Sequence, residues 1–150
     1  MITRKLMVAV VGVTLFAGCA APAAPAQSPA AAQPAAESQT QAIDVASLGR
    51  DVDTQTAAAL REQPNVMILD VREQDEWDAG HIPGAVHIPM GEVPARISEI
   101  PTDKTVIVQC RSGNRSGQVT DFLRGKGMNN VHNLAGGLNA WSSAGLPVEQ

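Results

Sequence analysis

Basic residues are scarce in this 150-residue chain, which carries 11 lysines and arginines against 15 aspartates and glutamates. A net charge of −4 excludes a nucleic-acid binder that works through bulk charge, so any anionic substrate needs a local positive site. Histidine is also scarce, and neither His87 nor His132 has a neighbour at metal-ligand spacing. We therefore expect no metal site. The length and the 44% apolar composition suit one domain rather than two, and the chain contains no internal repeat.

The chain also lacks a strong candidate for a membrane-spanning segment. Arg4 and Lys5 precede an uncharged apolar run over residues 6–17, and small residues follow it. This order is typical of a secretory signal. A membrane-spanning helix is the competing interpretation. It is disfavoured because the rest of the uncharged stretch contains Pro22 and Pro25 and is mostly alanine, which is too weakly apolar.

Cysteine occurs only twice, at Cys19 and Cys110. Residues 15–19, LFAGC, resemble a bacterial lipoprotein signal. The resemblance implies a signal peptide over residues 1–18, cleavage before Cys19, and diacylglyceryl and fatty acyl groups on that cysteine, which together anchor a protein stably. An ordinary signal peptide with an incidental cysteine is the alternative. If Cys19 is lipidated, Cys110 is the one free thiol, and no intramolecular disulfide can form even in an oxidising compartment.

The same resemblance implies a location in the cell envelope, with the protein facing the periplasm or the cell exterior. Ala20, rather than aspartate, follows Cys19, which resembles outer-membrane sorting in some Gram-negative bacteria. Loss of Arg4 and Lys5 with the signal leaves nine basic and 15 acidic residues, a charge of −6.

Residues 19–42 consist almost entirely of alanine, proline and glutamine, with no aromatic residue and no periodic apolar pattern. Such a segment buries too little surface to offset its ordering entropy. We expect a disordered, semi-extended stalk that joins a lipidated cysteine to a folded domain over residues 43–150.

In that domain, short apolar runs alternate with helix-competent segments. The runs PNVMILDV, GAVHIP, KTVIVQC and NNVHNL predict buried strands, preceded by a short strand near Asp51. The segments DTQTAAALREQ, EQDEWDAG, GEVPARISEI, SGQVTDFLRGKG and GLNAWSSAG predict helices. Asp53 is a good N-cap, and Gly125 and Gly127 are plausible helix stops. This alternation predicts a single α/β domain with a mainly parallel sheet.

Cys110 is the last residue of one predicted strand, and in such sheets ligands bind at the carboxyl ends of the strands. Gly113 and Asn114 tolerate left-handed backbone angles, so the chain after the cysteine can form a tight loop with inward N–H groups. Ser116 can cap the helix that follows, whose N-terminus adds positive potential. We therefore expect the pKa of the Cys110 thiol to be lowered.

Two arginines, Arg111 and Arg115, add charge and hydrogen-bond donors for an anionic substrate. The alternative is a buried core cysteine with arginines that merely lie on the surface. A tyrosine-phosphatase loop is disfavoured, because that loop places its arginine six positions after the cysteine, where this chain has Ser116.

Three stretches, CRSGNRSGQ, LDVREQDEWDAGHIPGAVHIP and LAGGLNAW, resemble single-domain rhodanese-like sulfurtransferases in their order and spacing over about residues 50–150. The resemblance implies a rhodanese fold, a five-stranded parallel sheet with helices on both faces. It implies that Cys110 carries sulfur as a persulfide, with no metal or organic cofactor. The residues expected to bind the substrate are Arg111, Ser112, Gly113, Asn114, Arg115 and Ser116.

Asp70 and Arg72 lie at the end of another predicted strand, and the resemblance implies that they support the loop. A helix cap and a surface ion pair are the alternative for these two residues. Asp75, Glu76 and Asp78 are expected to form a solvated acidic helix start.

The resemblance thus implies a thiosulfate sulfurtransferase-type enzyme. Cys110 would take sulfane sulfur from a small anionic donor, thiosulfate or a persulfide, and pass it to a thiol or to cyanide in two covalent steps. Two non-enzymatic alternatives stay open: a module that docks a partner, and a redox sensor in which Cys110 is oxidised. We expect a monomer.

Overall fold

A computed structural model describes residues 44–150, and the predicted signal peptide, the predicted stalk and Cys19 lie outside these residues. The described part contains a five-stranded sheet in the order β1-β5-β4-β2-β3, and every neighbouring pair of strands is parallel. The strands are β1 (Asp51–Val52), β2 (Val66–Asp70), β3 (Val86–His87), β4 (Thr105–Gln109) and β5 (Val131–Leu134). The last four lie in the four apolar runs, and β1 lies where a short strand is predicted near Asp51.

The connecting segments carry the helices. They are α1 (Thr54–Leu60), α2 (Gln74–Asp78), α3 (Asn114–Gly125) and α4 (Gly137–Ser143), with short 3₁₀ helices at Val45–Ser47 and Ile97–Glu99. As predicted, Asp53 caps α1, because its carboxylate accepts hydrogen bonds from two N–H groups in the first turn. Helix α3 ends at Gly125, and Gly127 follows in the left-handed region at φ 92°.

The sheet is covered on both faces, as the family resemblance implies. Side chains alternate between the faces along a strand, so Val106 and Val108 pack on one side of β4 while Ile107 packs on the other. The first side is covered by α3 through residues such as Leu123, and the second by α1 and α4, whose Trp141 is fully buried. Two apolar layers therefore hold β4 in the middle of the domain.

One predicted helix is wrong. Residues 91–100 form successive turns, with only Ile97–Glu99 in a short 3₁₀ helix. Pro94 explains the difference, because proline has no N–H to donate and disfavours helical angles at the residue before it. Val93 and Ile100 are still buried, so the apolar residues of this segment pack on the core without a helix.

The carboxyl ends of the parallel strands lie at one edge of the sheet. Asp70 at the end of β2 is in register with Gln109 at the end of β4, and β5 ends at Leu134 in the same direction. Cys110 is therefore one residue beyond β4 rather than the last residue of the strand. The three loops that leave this edge bring together the segments that resemble the rhodanese family.

Candidate active site

The start of α4 packs against the loop after Cys110 and hydrogen bonds to its backbone. The N–H of Leu138 donates to the carbonyl oxygen of Cys110 at 2.8 Å. This approach needs a glycine at position 137, because a Cβ there would lie 2.2 Å from the same carbonyl oxygen. Gly113 turns the loop with φ 93°, and a Cβ on it would lie 3.0 Å from the backbone nitrogen of Gly136. Gly136 and Gly137 are the GG of LAGGLNAW. The sequence analysis assigns no role to this pair, although the motif itself is the signal that could have revealed it.

The Cys110 thiol is 1% exposed and is surrounded by hydrogen-bond donors. The N–H of Gly113 donates to Sγ at 3.2 Å, and the Ser116 hydroxyl lies within donating distance at 3.3 Å. Burial raises the pKa of the thiol. The Ser116 hydroxyl and the N–H groups of Ser116, Ser112 and Gly113 outweigh burial and leave the pKa below its usual value. The expected lowering of the thiol pKa is confirmed.

The helix that follows the loop begins earlier than predicted. Gly113, not Ser116, is the N-cap of α3, and Asn114 is already helical. Of the two residues expected to tolerate left-handed angles, only Gly113 uses them. The predicted capping role of Ser116 is therefore wrong. Because Ser116 lies within the first turn, its fully buried hydroxyl points at Cys110 and Asn133 instead.

The two loop arginines differ in their surroundings. Within residues 44–150, the exposed side chain of Arg111 donates no hydrogen bond, whereas Arg115 makes a two-pronged ion pair with Glu76 at 2.6 and 2.8 Å. The hydrogen bonds to Arg115 hold the pKa of Glu76 below its usual value despite partial burial. The expectation that Glu76 is merely solvated is wrong. No sequence signal reveals the pair, since its members are 39 residues apart.

Asp70 and Arg72 form a buried ion pair, 0% and 3% exposed, with 2.6 Å between Asp70 Oδ2 and Arg72 Nη2. The surface-pair alternative is therefore wrong. Arg72 also donates to the carbonyl oxygens of Glu76 and Gly80, both at 2.8 Å. The pair thereby fixes α2, which carries the Glu76 carboxylate that holds Arg115. Support of the loop by Asp70 and Arg72 stays a prediction, and these contacts give it a physical route.

A cavity of about 220 Å³ opens beside the loop. It is lined by Arg72, Glu76, Ala79, Arg111, Leu138 and Asn139. Arg72 in this wall is paired with Asp70, and the Glu76 carboxylate also lines the cavity. Arg111 therefore provides the positive charge that could hold a small anion there.

The histidines of this edge have structural partners. His81 and His87 both stack on the ring of Trp77, with centroid distances of 3.6 and 4.7 Å.

Over residues 44–150, no group of three or more His, Cys, Asp or Glu side chains could hold a metal ion. In the same range, no helix is long and apolar enough to cross a membrane.

The sequence of residues 53–144 matches the rhodanese-like domain family. The chain belongs to this family. The rhodanese-like domain is 39% identical over 99 residues to the sulfurtransferase of Allochromatium vinosum, an alignment that covers 65% of this chain and 92% of that protein. It is 32% identical over 90 residues to the thiosulfate sulfurtransferase GlpE of Tolumonas auensis, across 60% of this chain and 85% of the relative.

A solved structure shows the same architecture. The crystal structure of a rhodanese-related protein from Thermoplasma volcanium superposes with a TM-score of 0.63 at 30% identity, over 67% of this chain and 98% of the other. The rhodanese-like fold, a five-stranded parallel sheet with helices, is confirmed. The sulfurtransferase relatives support a transferase function for this domain.

Proposed function

We propose that this rhodanese-like protein is a sulfurtransferase that carries sulfane sulfur as a persulfide on Cys110, from thiosulfate or a persulfide donor to a thiol or to cyanide. The observation that carries the proposal is the convergence of loop N–H groups and the Ser116 hydroxyl on Sγ, which lowers the pKa of a buried thiol. A thiolate is the nucleophile that this chemistry needs.

In the first step, the Cys110 thiolate attacks the outer sulfur of thiosulfate. A new S–S bond forms at Sγ, the S–S bond of the donor breaks, and sulfite leaves with the electron pair. The negative charge now lies on the outer sulfur, where the loop N–H groups stabilise it as an oxyanion hole stabilises an oxygen anion. Arg111 and Arg115 provide positive charge for the sulfonate end of the donor, and Glu76 fixes the position of Arg115.

In the second step, an acceptor nucleophile attacks the outer sulfur. The bond to Sγ breaks, and Sγ leaves as a thiolate. A thiol with a lowered pKa is the better leaving group, so the same hydrogen bonds that activate Cys110 as a nucleophile also help to release the product. The cycle is a ping-pong reaction with a covalent intermediate, and neither of its steps requires a metal or an organic cofactor.

We also propose that the domain is displayed in the cell envelope by a lipid on Cys19, at the end of the alanine- and proline-rich stalk. The support is the basic start, the short apolar run and the LFAGC sequence of residues 1–19, which lie outside the described residues.

Thiocyanate formation from thiosulfate and cyanide tests the transferase function. The purified full chain, its Cys110→Ser variant and a Cys19→Ser control are compared at equal concentration after reduction. We expect turnover by the parent and by Cys19→Ser, and none by Cys110→Ser, because serine cannot form the persulfide.

Two results would contradict the proposal. Turnover by Cys110→Ser would place the chemistry elsewhere. No turnover by the folded parent with a reduced thiol would rule out thiosulfate transfer and would favour a partner-docking or redox-sensing module.

A further inference from the structure

Ser116 lies between two acceptors of its single hydroxyl proton. Its Oγ is 3.3 Å from Sγ of Cys110 and 2.7 Å from Oδ1 of Asn133. All three residues are buried, with Ser116 at 0% and Asn133 at 5% exposure, so the structure leaves the hydroxyl few other partners. One proton cannot serve both acceptors at once.

The orientation of the Asn133 amide is fixed from its far side. Its Nδ2 donates to Oδ1 of Asp51 at 2.6 Å, and a carboxylate only accepts hydrogen bonds. The amide oxygen must therefore face Ser116. Asp51 is itself held by Arg50, whose Nη1 lies 2.8 Å from the same carboxylate. The hydrogen bond from Asn133, opposed by burial and assisted by Arg50, keeps the pKa of Asp51 below its usual value, so the carboxylate stays an acceptor.

We propose that Asn133 is a positioning residue that competes with the Cys110 sulfur for the Ser116 hydroxyl proton. When Sγ is a neutral thiol, Ser116 donates to Asn133. When Sγ is a thiolate, the hydroxyl turns to the sulfur, and the Asn133 oxygen loses its donor. Asn133 thus sets the cost of forming the thiolate without touching it.

The competition deepens the proposed sulfur transfer and rests on it for its role in the cycle. In the persulfide, Sγ is bonded to the outer sulfur and no longer carries the charge, so the Ser116 hydroxyl returns to Asn133. As the acceptor removes the outer sulfur, charge develops again on Sγ, and the hydroxyl turns back. The Ser116–Asn133 pair therefore follows the charge on Sγ in each half of the reaction.

The other charged groups around Sγ act by separate routes. Arg111 follows Cys110 in the loop, and Arg115 of α3 is paired with Glu76 of α2. On the β2 side, Arg72 is neutralised by Asp70. Among residues 44–150, none of these side chains hydrogen bonds to Ser116 or Asn133. The serine and the asparagine can thus be changed without breaking these ion pairs.

The test measures the pH dependence of Cys110 alkylation by iodoacetamide in the full chain. Trypsin cleaves after Lys104 and Arg111, so the peptide 105–111 reports Cys110 separately from Cys19. The variants are Ser116→Ala, Asn133→Ala and the double variant. Asn129→Ala serves as the matched control, because Asn129 is an exposed asparagine away from the loop. Thermal unfolding establishes that each variant is folded, and Asn133→Val, which suits a strand, replaces alanine if needed.

We expect opposite effects of the two single substitutions. Asn133→Ala frees the serine hydroxyl for the thiolate, so the alkylation midpoint moves to lower pH and the rate below the midpoint rises about three- to tenfold. Ser116→Ala removes the donor, so the midpoint moves to higher pH. The double variant should behave like Ser116→Ala alone, because Asn133 acts only through Ser116. Asn129→Ala should match the parent.

A midpoint that moves to higher pH in Asn133→Ala would overturn the proposal, because it would mean that Asn133 aims the hydroxyl at the sulfur. An unchanged midpoint, or an effect of Asn133→Ala that persists in the Ser116→Ala background, would overturn it as well. Alkylation needs no sulfur donor or acceptor. A failure of the proposed sulfur transfer would therefore appear in the thiocyanate assay and leave this result intact.

Discussion

At the scale of single residues, hydrogen-bond donors of the loop are the main groups that lower the pKa of Cys110 against burial, and the Arg115 charge also interacts with the sulfur. Burial alone would keep the sulfur protonated, since a low-dielectric environment disfavours the thiolate. The donors of the loop reverse that effect, and none of them is a charged side chain. Arg111, whose side chain donates no hydrogen bond within residues 44–150, is therefore available for the substrate, whereas Arg115 is held by Glu76.

Cys110 should give the protein a pH-dependent stability. Its pKa is lower in the folded state than the value of about 8.5 expected for an unfolded chain. The corresponding stabilisation is therefore fully present above the unfolded pKa and is lost as the pH falls through the folded pKa. Urea unfolding of the parent and of Cys110→Ala should show a stability difference that grows in favour of the parent as pH rises through this window. A difference independent of pH would contradict the lowered pKa.

Gly137→Ala should damage both the fold and the active-site loop. The added Cβ would lie 2.2 Å from the Cys110 carbonyl oxygen, and the backbone at Gly137 has φ 55°. We expect a loss of about 2–4 kcal/mol in the free energy of unfolding, measured with urea, and a lower rate of thiocyanate formation. Gly125→Ala is the matched control, because no heavy atom beyond its chain neighbours and its own helix backbone lies within 4 Å of the added Cβ. Equal behaviour of the two variants would refute the close approach.

At the scale of elements, the ion pair between Asp70 and Arg72 joins the end of β2 to α2. Asp70→Ala leaves the Arg72 guanidinium buried without its counter-charge, which should cost about 3–5 kcal/mol of unfolding free energy. Adding Arg72→Met removes that charge, so the double variant should lose less than the sum of the single variants in urea unfolding. Glu99→Ala, which breaks an exposed ion pair, should change stability little. Strict additivity at Asp70 and Arg72 would argue against their coupling.

The elements that could be predicted from sequence are those with a strong local pattern. The four apolar runs locate β2 to β5, the short strand predicted near Asp51 is β1, and Asp53 locates the start of α1. The helix predicted over residues 91–100 does not form, because Pro94 opposes a helix that the apolar spacing alone would suit. The start of α3 could not be predicted from a local pattern. The sequence suggests Ser116 as the N-cap, whereas the helix begins after Gly113, which has left-handed backbone angles.

The same limit applies to the candidate site: residues close together in the sequence could be predicted, and contacts between distant residues could not. The loop residues and the thiol were identified from CRSGNRSGQ, because they are adjacent in sequence. Glu76 and Asn133 were not identified, because each meets its partner only after the strands have paired, at sequence separations of 39 and 17 residues. Contacts of this kind are set by tertiary packing, so no periodicity or motif points to them.

At the scale of the whole molecule, the charge distribution opposes the charge of the site. The full chain has a net charge of −4, or −6 after the proposed loss of Arg4 and Lys5, whereas the reactive loop carries Arg111 and the Glu76-paired Arg115. A distant anion is therefore weakly repelled, and attraction begins only near the loop, since salt screens charges beyond roughly 8 Å under physiological conditions. Such a field does not concentrate small anions over long distances. It suits a site that selects its donor by close contact.

The proposed anchor makes a prediction about where this site works. If Cys19 carries lipid, the parent should sediment with membranes after expression with its own N-terminus, and Cys19→Ser should move to the soluble fraction or be left uncleaved. The mass of the mature N-terminus gives an independent measurement, because acyl groups on Cys19 add a defined mass. Thiocyanate formation per molecule should be unchanged in the variant, since every strand of the sheet and the Cys110 loop lie within residues 51–134. Membrane retention of Cys19→Ser with an unmodified, cleaved N-terminus would contradict lipid anchoring, and a second attachment to the membrane would then have to be sought.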